Sequence, residues 1–153
     1  MQIDWTFRLF NPTHSAPTVA VGAIILDRDE RVVLIQRGQP PQQGRWSIPG
    51  GKLLLGEAMA DGVQREVMEE TGLQVSVGPL IDTVERVTRN AEGEIQYHYI
   101  IVDFLCSRTG GTLSPNSDAA SAEWASLDSL QNYDLIDGTE AVIRKALQMG
   151  TIS

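Results

Sequence analysis

Ile3, Trp5, Phe7 and Leu9 alternate with Asp4, Thr6 and Arg8, a period of two that predicts an amino-terminal strand with one buried face. That face covers either the chain's own sheet or a partner subunit, so a homodimer is one of two expectations. Two apolar runs follow, Val19 to Leu26 and Arg31 to Gln36, and the polar residues Asp27 to Glu30 between them predict a hairpin. Gln39 to Gly44, with two prolines, predicts a loop. A second, longer hairpin is predicted from Val75 to Val77 and Leu80 to Val87, a polar turn from Thr88 to Glu94, and Ile95 to Cys106. Gly110 and Gly111 open a loop to Asp118, and Glu123 to Ala125 reads as a short strand. Thr139 to Met149 has helical spacing at Ala141, Val142, Lys145, Ala146 and Met149 if the lysine stem packs along the edge.

The middle of the chain changes period. Pro49, Gly50 and Gly51 cannot continue a regular strand, Gly56 signals a turn, and the proline-free run to Thr71 predicts a helix starting near Glu57. Gly72 falls at the left-handed cap position where helices commonly end. On that helix Glu66, Glu69 and Glu70 lie within an arc of about 100°, beside an apolar arc of about 80° formed by Ala60, Val63, Val67 and Thr71. Arg65 points roughly 100° away from Glu66 and cannot neutralise the whole cluster.

Clustered carboxylates repel, and more strongly when partly desolvated. A divalent cation is the simplest resolution, since carboxylate oxygens are the hard ligands Mg²⁺ prefers. The alternative is a solvated acidic face. Gly62 also lies on the acidic arc, where a mid-helix glycine costs about 1 kcal/mol relative to alanine. It provides backbone room for a ligand or facing loop, or it reflects only close packing.

Composition narrows the classes. The 153 residues are 42% hydrophobic and suit one globular domain over 1–153, with 1–17 as an amino-terminal strand extension. No apolar run is long enough for a membrane span and the first residues lack signal-peptide character, so a cytoplasmic protein without membrane contact is expected. Cys106, the single cysteine, sits in an apolar run and is read as core; His14 and His98 are read as structural or surface. The net charge of −8 argues against nonspecific binding to a nucleic-acid polymer. A negatively charged phosphate substrate needs divalent metal between it and such an acidic site.

The window Gly51–Leu73, GKLLLGEAMADGVQREVMEETGL, resembles the signature box of the Nudix hydrolases at every defined position: the glycine, Glu57, Arg65, Glu66, Val67, Glu69, Glu70, Gly72 and Leu73. GRWSIPGG, YHYIIVDFL and DAASAEWASLDSL extend the likeness from Val19 to about Met149. The resemblance implies an α+β fold, an α/β/α sandwich with a central mixed sheet, and Mg²⁺- or Mn²⁺-dependent hydrolysis of a nucleoside diphosphate linked to another group. By motif position, Glu66, Glu69, Glu70 and the main-chain carbonyl of Gly50 bind metal, while Glu57 and Arg65 brace loop and helix.

A diphosphate bond needs charge neutralised, a water oriented and its proton accepted. Glu66 or Glu69 is the candidate general base, with Glu123 as an outside contributor. Glu123 precedes Trp124 where MutT-type members carry an extra metal-binding glutamate; its other reading is a carboxylate at the mouth of a strand, and Asp118 is an alternative. Arg37, Arg45 and Arg86 are candidates for holding phosphate or stacking on a base, each with a surface ion pair as the alternative. Trp46 and Tyr97 are candidates for flanking an adenine, core packing being the other role for Trp46. The segments outside the box resemble a bacterial ADP-ribose pyrophosphatase-like subgroup, which would yield AMP and ribose 5-phosphate. They also occur in MutT-like nucleoside triphosphate pyrophosphatases. A non-catalytic ligand sensor on the same fold is the reading from another class.

Overall fold

The computed structural model describes residues 16–150; the amino-terminal alternation Ile3 to Leu9 lies outside them. The elements in chain order are β1 (Thr18–Ile25), β2 (Arg31–Arg37), β3 (Trp46–Ser47), β4 (Gly50–Lys52), α1 (Met59–Thr71), β5 (Leu73–Arg89), β6 (Ile95–Gly111), β7 (Ala119–Ser126), a 3₁₀ segment (Leu127–Asn132) and α2 (Thr139–Met149). A mixed four-stranded sheet has the order β4-β1-β6-β5, with β1 and β6 parallel, and β3-β2-β7 form an antiparallel sheet beside it.

β1 is buried along most of its length because both faces are covered. Val21, Ala23 and Ile25 join Val63 and Val67 of α1, and Ile24 joins Val142, Ile143 and Ala146 of α2. Each fully buried valine on α1 contributes roughly 1.5–3 kcal/mol. The two helices thus cap opposite faces, as expected for the sandwich.

Three local expectations change. The first hairpin exists only at its turn: Asp27 Oδ1 accepts from the amides of Asp29 and Arg31, and one bridge joins Leu26 to Val32. β1 and β2 then part into different sheets, because each apolar run is covered on both faces and finds its long-range partners elsewhere. The second hairpin is longer than predicted, with β5 pairing β6 to Arg89 and a turn in which Asn90 Oδ1 accepts from the amides of Glu92 and Glu94. On α2 the buried face is Thr139, Val142, Ile143 and Ala146, whereas Ala141, Lys145 and Met149 are exposed. Lys145 Nζ reaches Asp82 at 3.2 Å instead of laying its stem on the core.

Cys106 is 1% exposed in the core beneath α1, and burial pushes its thiol up to about 12, consistent with an inert packing role. No described helix is long and apolar enough to cross a membrane.

Candidate active site

α1 begins after Ala58, which offers no side-chain cap, and ends at Gly72 with φ 73°. The loop before it is organised from outside by Glu57, whose Oε1 accepts from the Leu54 amide at 3.1 Å. A Cβ on Gly62 would stand 2.8 Å from Leu53 Cδ1 and 3.0 Å from Glu57 Oε1. The mid-helix glycine therefore admits a facing loop. On the apolar arc Val63, Val67 and Thr71 are buried, but Ala60, in the first turn, is exposed.

Arg65 ties the acidic side together. Its Nε and Nη2 donate to both oxygens of Glu57 at 2.7 and 2.9 Å, Nη1 donates to Glu66 at 2.8 Å and Glu69 at 3.3 Å, and Nη2 also donates to the Lys52 carbonyl. The guanidinium holds Glu57 down to about 2. One cation thus serves three carboxylates, and Glu70 is left outside its reach.

Glu70 is 9% exposed and accepts from the Gly50 amide at 2.8 Å. Burial pushes its carboxyl up to about 8, helped by the charges of Glu66 and Asp118 and opposed by the Gly50 amide and Arg37. Glu66 presses on the next residue: its carboxylate lies 2.5–2.6 Å from where a Cβ on Gly51 would be. Two carboxyl groups therefore converge on the Gly50–Gly51 backbone, where glycine at 51 leaves room for Glu66 and glycine at 50 admits the β1 backbone at Val21.

Mg²⁺ is commonly held by one or two carboxylates together with substrate phosphates. The pair Glu66 and Glu70, with the nearby Gly50 carbonyl, fits that donor chemistry. Among the described residues no three acidic or histidine side chains are grouped closely enough to share one ion. Glu69, turned toward Arg65 and half exposed, is the member standing apart.

Beside these carboxylates opens a cleft of about 710 Å³, lined among others by Gly50, Glu66, Glu69, Glu70, Arg37 and Arg86. Tyr97, stacked on Tyr99 with ring centroids 6.0 Å apart, and Asp118 also border it. Arg37 donates to the Pro41 carbonyl and Arg86 to the Asp137 carbonyl, so both are anchored at the rim.

Arg45, Trp46 and Glu123 stand outside the lining. Arg45 donates to Gln42 and the Leu135 carbonyl and pairs with Asp134 and Asp137, clipping two loops together. Trp46 meets Tyr133 edge to face at 5.1 Å against the core. Glu123, on β7, accepts from the Tyr133 hydroxyl at 2.6 Å. Asp118 rather than Glu123 is thus the late acidic residue at the cleft.

One lining residue was not singled out from the sequence. Asp103 is 3% exposed, and Tyr99 to Cys106 contains no other charge, a local inconsistency that was a usable signal.

A family model described as NUDIX domain matches residues 16–146. The chain is 36% identical over 114 residues to an ADP-ribose pyrophosphatase of Methanocaldococcus jannaschii, covering 74% of this chain and 64% of that protein. It is 32% identical over 117 residues to a MutT-like protein of Streptomyces ambofaciens, covering 76% and 67%. Among solved structures, a MutT NUDIX hydrolase from Burkholderia pseudomallei superimposes with a TM-score of 0.74 at 28% identity, covering 86% of this chain and 99% of that one. The chain therefore spans about two thirds of the length of these two sequence relatives.

Proposed function

Since this chain belongs to the NUDIX domain family, we propose that it hydrolyses the diphosphate bond of a nucleoside diphosphate derivative, with ADP-ribose or a related ADP-sugar as substrate and AMP and a sugar phosphate as products. The observation that carries the reading is the convergence of Glu66 and Glu70 on Gly50–Gly51 beside a cleft edged by Arg37 and Arg86.

Glu66, Glu70 and the Gly50 carbonyl would hold Mg²⁺ or Mn²⁺. When bound, the cation neutralises phosphate charge and lowers the pKa of a coordinated water. Glu69, not committed to the Gly50–Gly51 cradle, is the proposed proton acceptor, with Glu66 as the alternative. Glu57 and Arg65 fix the loop–helix junction. Arg37 and Arg86 meet the phosphates, and Tyr97 offers a ring face to the base. Arg45, Trp46 and Glu123 are read as supports of this frame.

The preference for an ADP-sugar is supported by the named activity of the Methanocaldococcus relative. The MutT-like Streptomyces relative favours a second reading, pyrophosphohydrolysis of a normal or oxidised nucleoside triphosphate. A panel of ADP-ribose, other ADP-sugars, dinucleotides and triphosphates, compared by kcat/KM with Mg²⁺ or Mn²⁺, separates them. Preference for triphosphates would replace the first reading with the second. Absence of turnover across the panel would overturn both and leave a ligand sensor.

A further inference from the structure

Strand alternation places Tyr99, Ile101, Asp103 and Leu105 of β6 on one face of the sheet. Leu105 belongs to the core under α2, while Tyr99, Ile101 and Asp103 line the cleft. A carboxylate therefore interrupts an apolar row at the point where core gives way to cleft.

Asp103 Oδ1 has no hydrogen-bond partner among the described residues, although the residue is 3% exposed. A buried unpaired carboxylate opposes folding and adds nothing to packing. The two charges that act on it do not satisfy it: Arg86 attracts it from a guanidinium that donates to the Asp137 carbonyl, and Asp82, paired with Lys145, repels it. Burial is the main reason its carboxyl is pushed up to about 6.

β1 makes the position possible. Gly22 is in register with Gly50 on one side and Asp103 on the other, so the three form a row across the sheet. A Cβ on Gly22 would stand 2.2 Å from Asp103 Oδ1, so the carboxylate lies over the glycine, leaning toward the strand that supplies Gly50. Around it, Ile48, Val84, Ile101 and Val142 give the cleft apolar walls. An apolar slot with one buried acceptor suits a flat ring bearing an N–H at its edge better than a sugar, whose hydroxyls are polar on every side.

We infer that Asp103 is a specificity-determining residue that accepts a hydrogen bond from an exocyclic amine on the edge of the substrate's nucleobase. The inference rests on the nucleoside reading above, but not on whether the phosphate chain ends in a sugar.

The test compares wild type, Asp103→Asn and Asp103→Leu on nucleotides that differ only in an exocyclic amine: adenine against unsubstituted purine, and guanine against hypoxanthine. Each pair is built on whichever phosphate chain wild type prefers, with 2′-deoxy versions alongside. Wild type should favour an amine-bearing base by about tenfold or more in kcat/KM, mostly through KM, because a site with a buried acceptor rejects a ligand that cannot donate. Asp103→Leu should collapse that ratio, and Asp103→Asn, which keeps one acceptor, should restore part of it. Neither variant should unfold at a lower temperature than wild type in metal-free buffer. The inference is overturned by a ratio that survives in Asp103→Leu, by no base preference in wild type, by a ratio that follows the 2′-hydroxyl instead, or by both variants losing stability and all substrates equally. A triphosphate preference with the base ratio intact would sink only the ADP-sugar reading.

Discussion

The two helices are near in length but differ in charge, α1 carrying four carboxylates against Arg65 and α2 only Glu140 against Arg144 and Lys145, and they handle that charge in opposite ways. On α2, Glu140 and Arg144 pair at 2.9 Å with both side chains more than half exposed, an arrangement worth a few tenths of a kcal/mol. On α1, the pair Arg65 and Glu66 is 24% and 14% exposed, two further carboxylates press on the same guanidinium, and Glu70 lies beyond it. Solvent absorbs the charge on α2, whereas the protein retains an excess on α1. What marks the site is charge that is gathered, desolvated and incompletely paired.

The largest effect that would break this contrast is expected at Glu70. Glu70→Gln should lower the metal-dependent rate by about 10³-fold, the scale of losing several kcal/mol of transition-state stabilisation. Mg²⁺ should raise the unfolding midpoint of wild type but not of the variant. Folded Glu70 titrates near 8 against an ordinary 4.5, so between those values the folded protein binds more protons than the unfolded chain. Metal-free stability should therefore fall as pH rises through that window, and Glu70→Gln should flatten the slope in denaturant titrations with EDTA. A Glu70→Gln protein that is unstable, with normal activity in its folded fraction, would make the residue structural.

Next comes Arg65→Ala, which leaves its carboxylates facing one another. A stability loss of about 2 kcal/mol, read from urea midpoints, is the scale of lost charge-assisted hydrogen bonds, and turnover should fall with it. Val67→Ala should cost a similar 2 kcal/mol or so through its cavity but leave the substrate ranking alone, separating the packed face of α1 from its working face. Arg144→Ala should give the smallest effect, less than about 0.5 kcal/mol. A cost there equal to that of Arg65→Ala would erase the distinction between the helices.

How much of this was legible in the sequence depends on the range over which each feature is fixed. The acidic arc and Gly72 lie within one short window and follow from helical geometry, so the helix and the carboxylate cluster could be read directly, whereas the brace between Glu57 and Arg65 came from the resemblance alone because Glu57 stands before the helix. The separation of β1 from β2 could not, because β1 pairs with β4 and β6, far along the chain. Glu123 was placed by its neighbourhood in sequence, but its strand register and the Tyr133 hydroxyl take it away from the cleft. Asp103 gains its meaning from Gly22, which lies on a strand that only the parallel pairing brings alongside.

The end of α1 has a consequence for the loop beyond β6. Terminal helix carbonyls ordinarily lack backbone partners, yet the Glu70 and Thr71 carbonyls accept from the amides of Asn116 and Ser114 at 3.1 and 2.8 Å. The segment leading to Asp118 is thereby stitched to the last turn that carries Glu70. The two should open and close as one cooperative unit: hydrogen exchange at Ser114 and Asn116 should track the helix end, and a ligand drawing on Asp118 would be felt at Glu70 through the shared backbone.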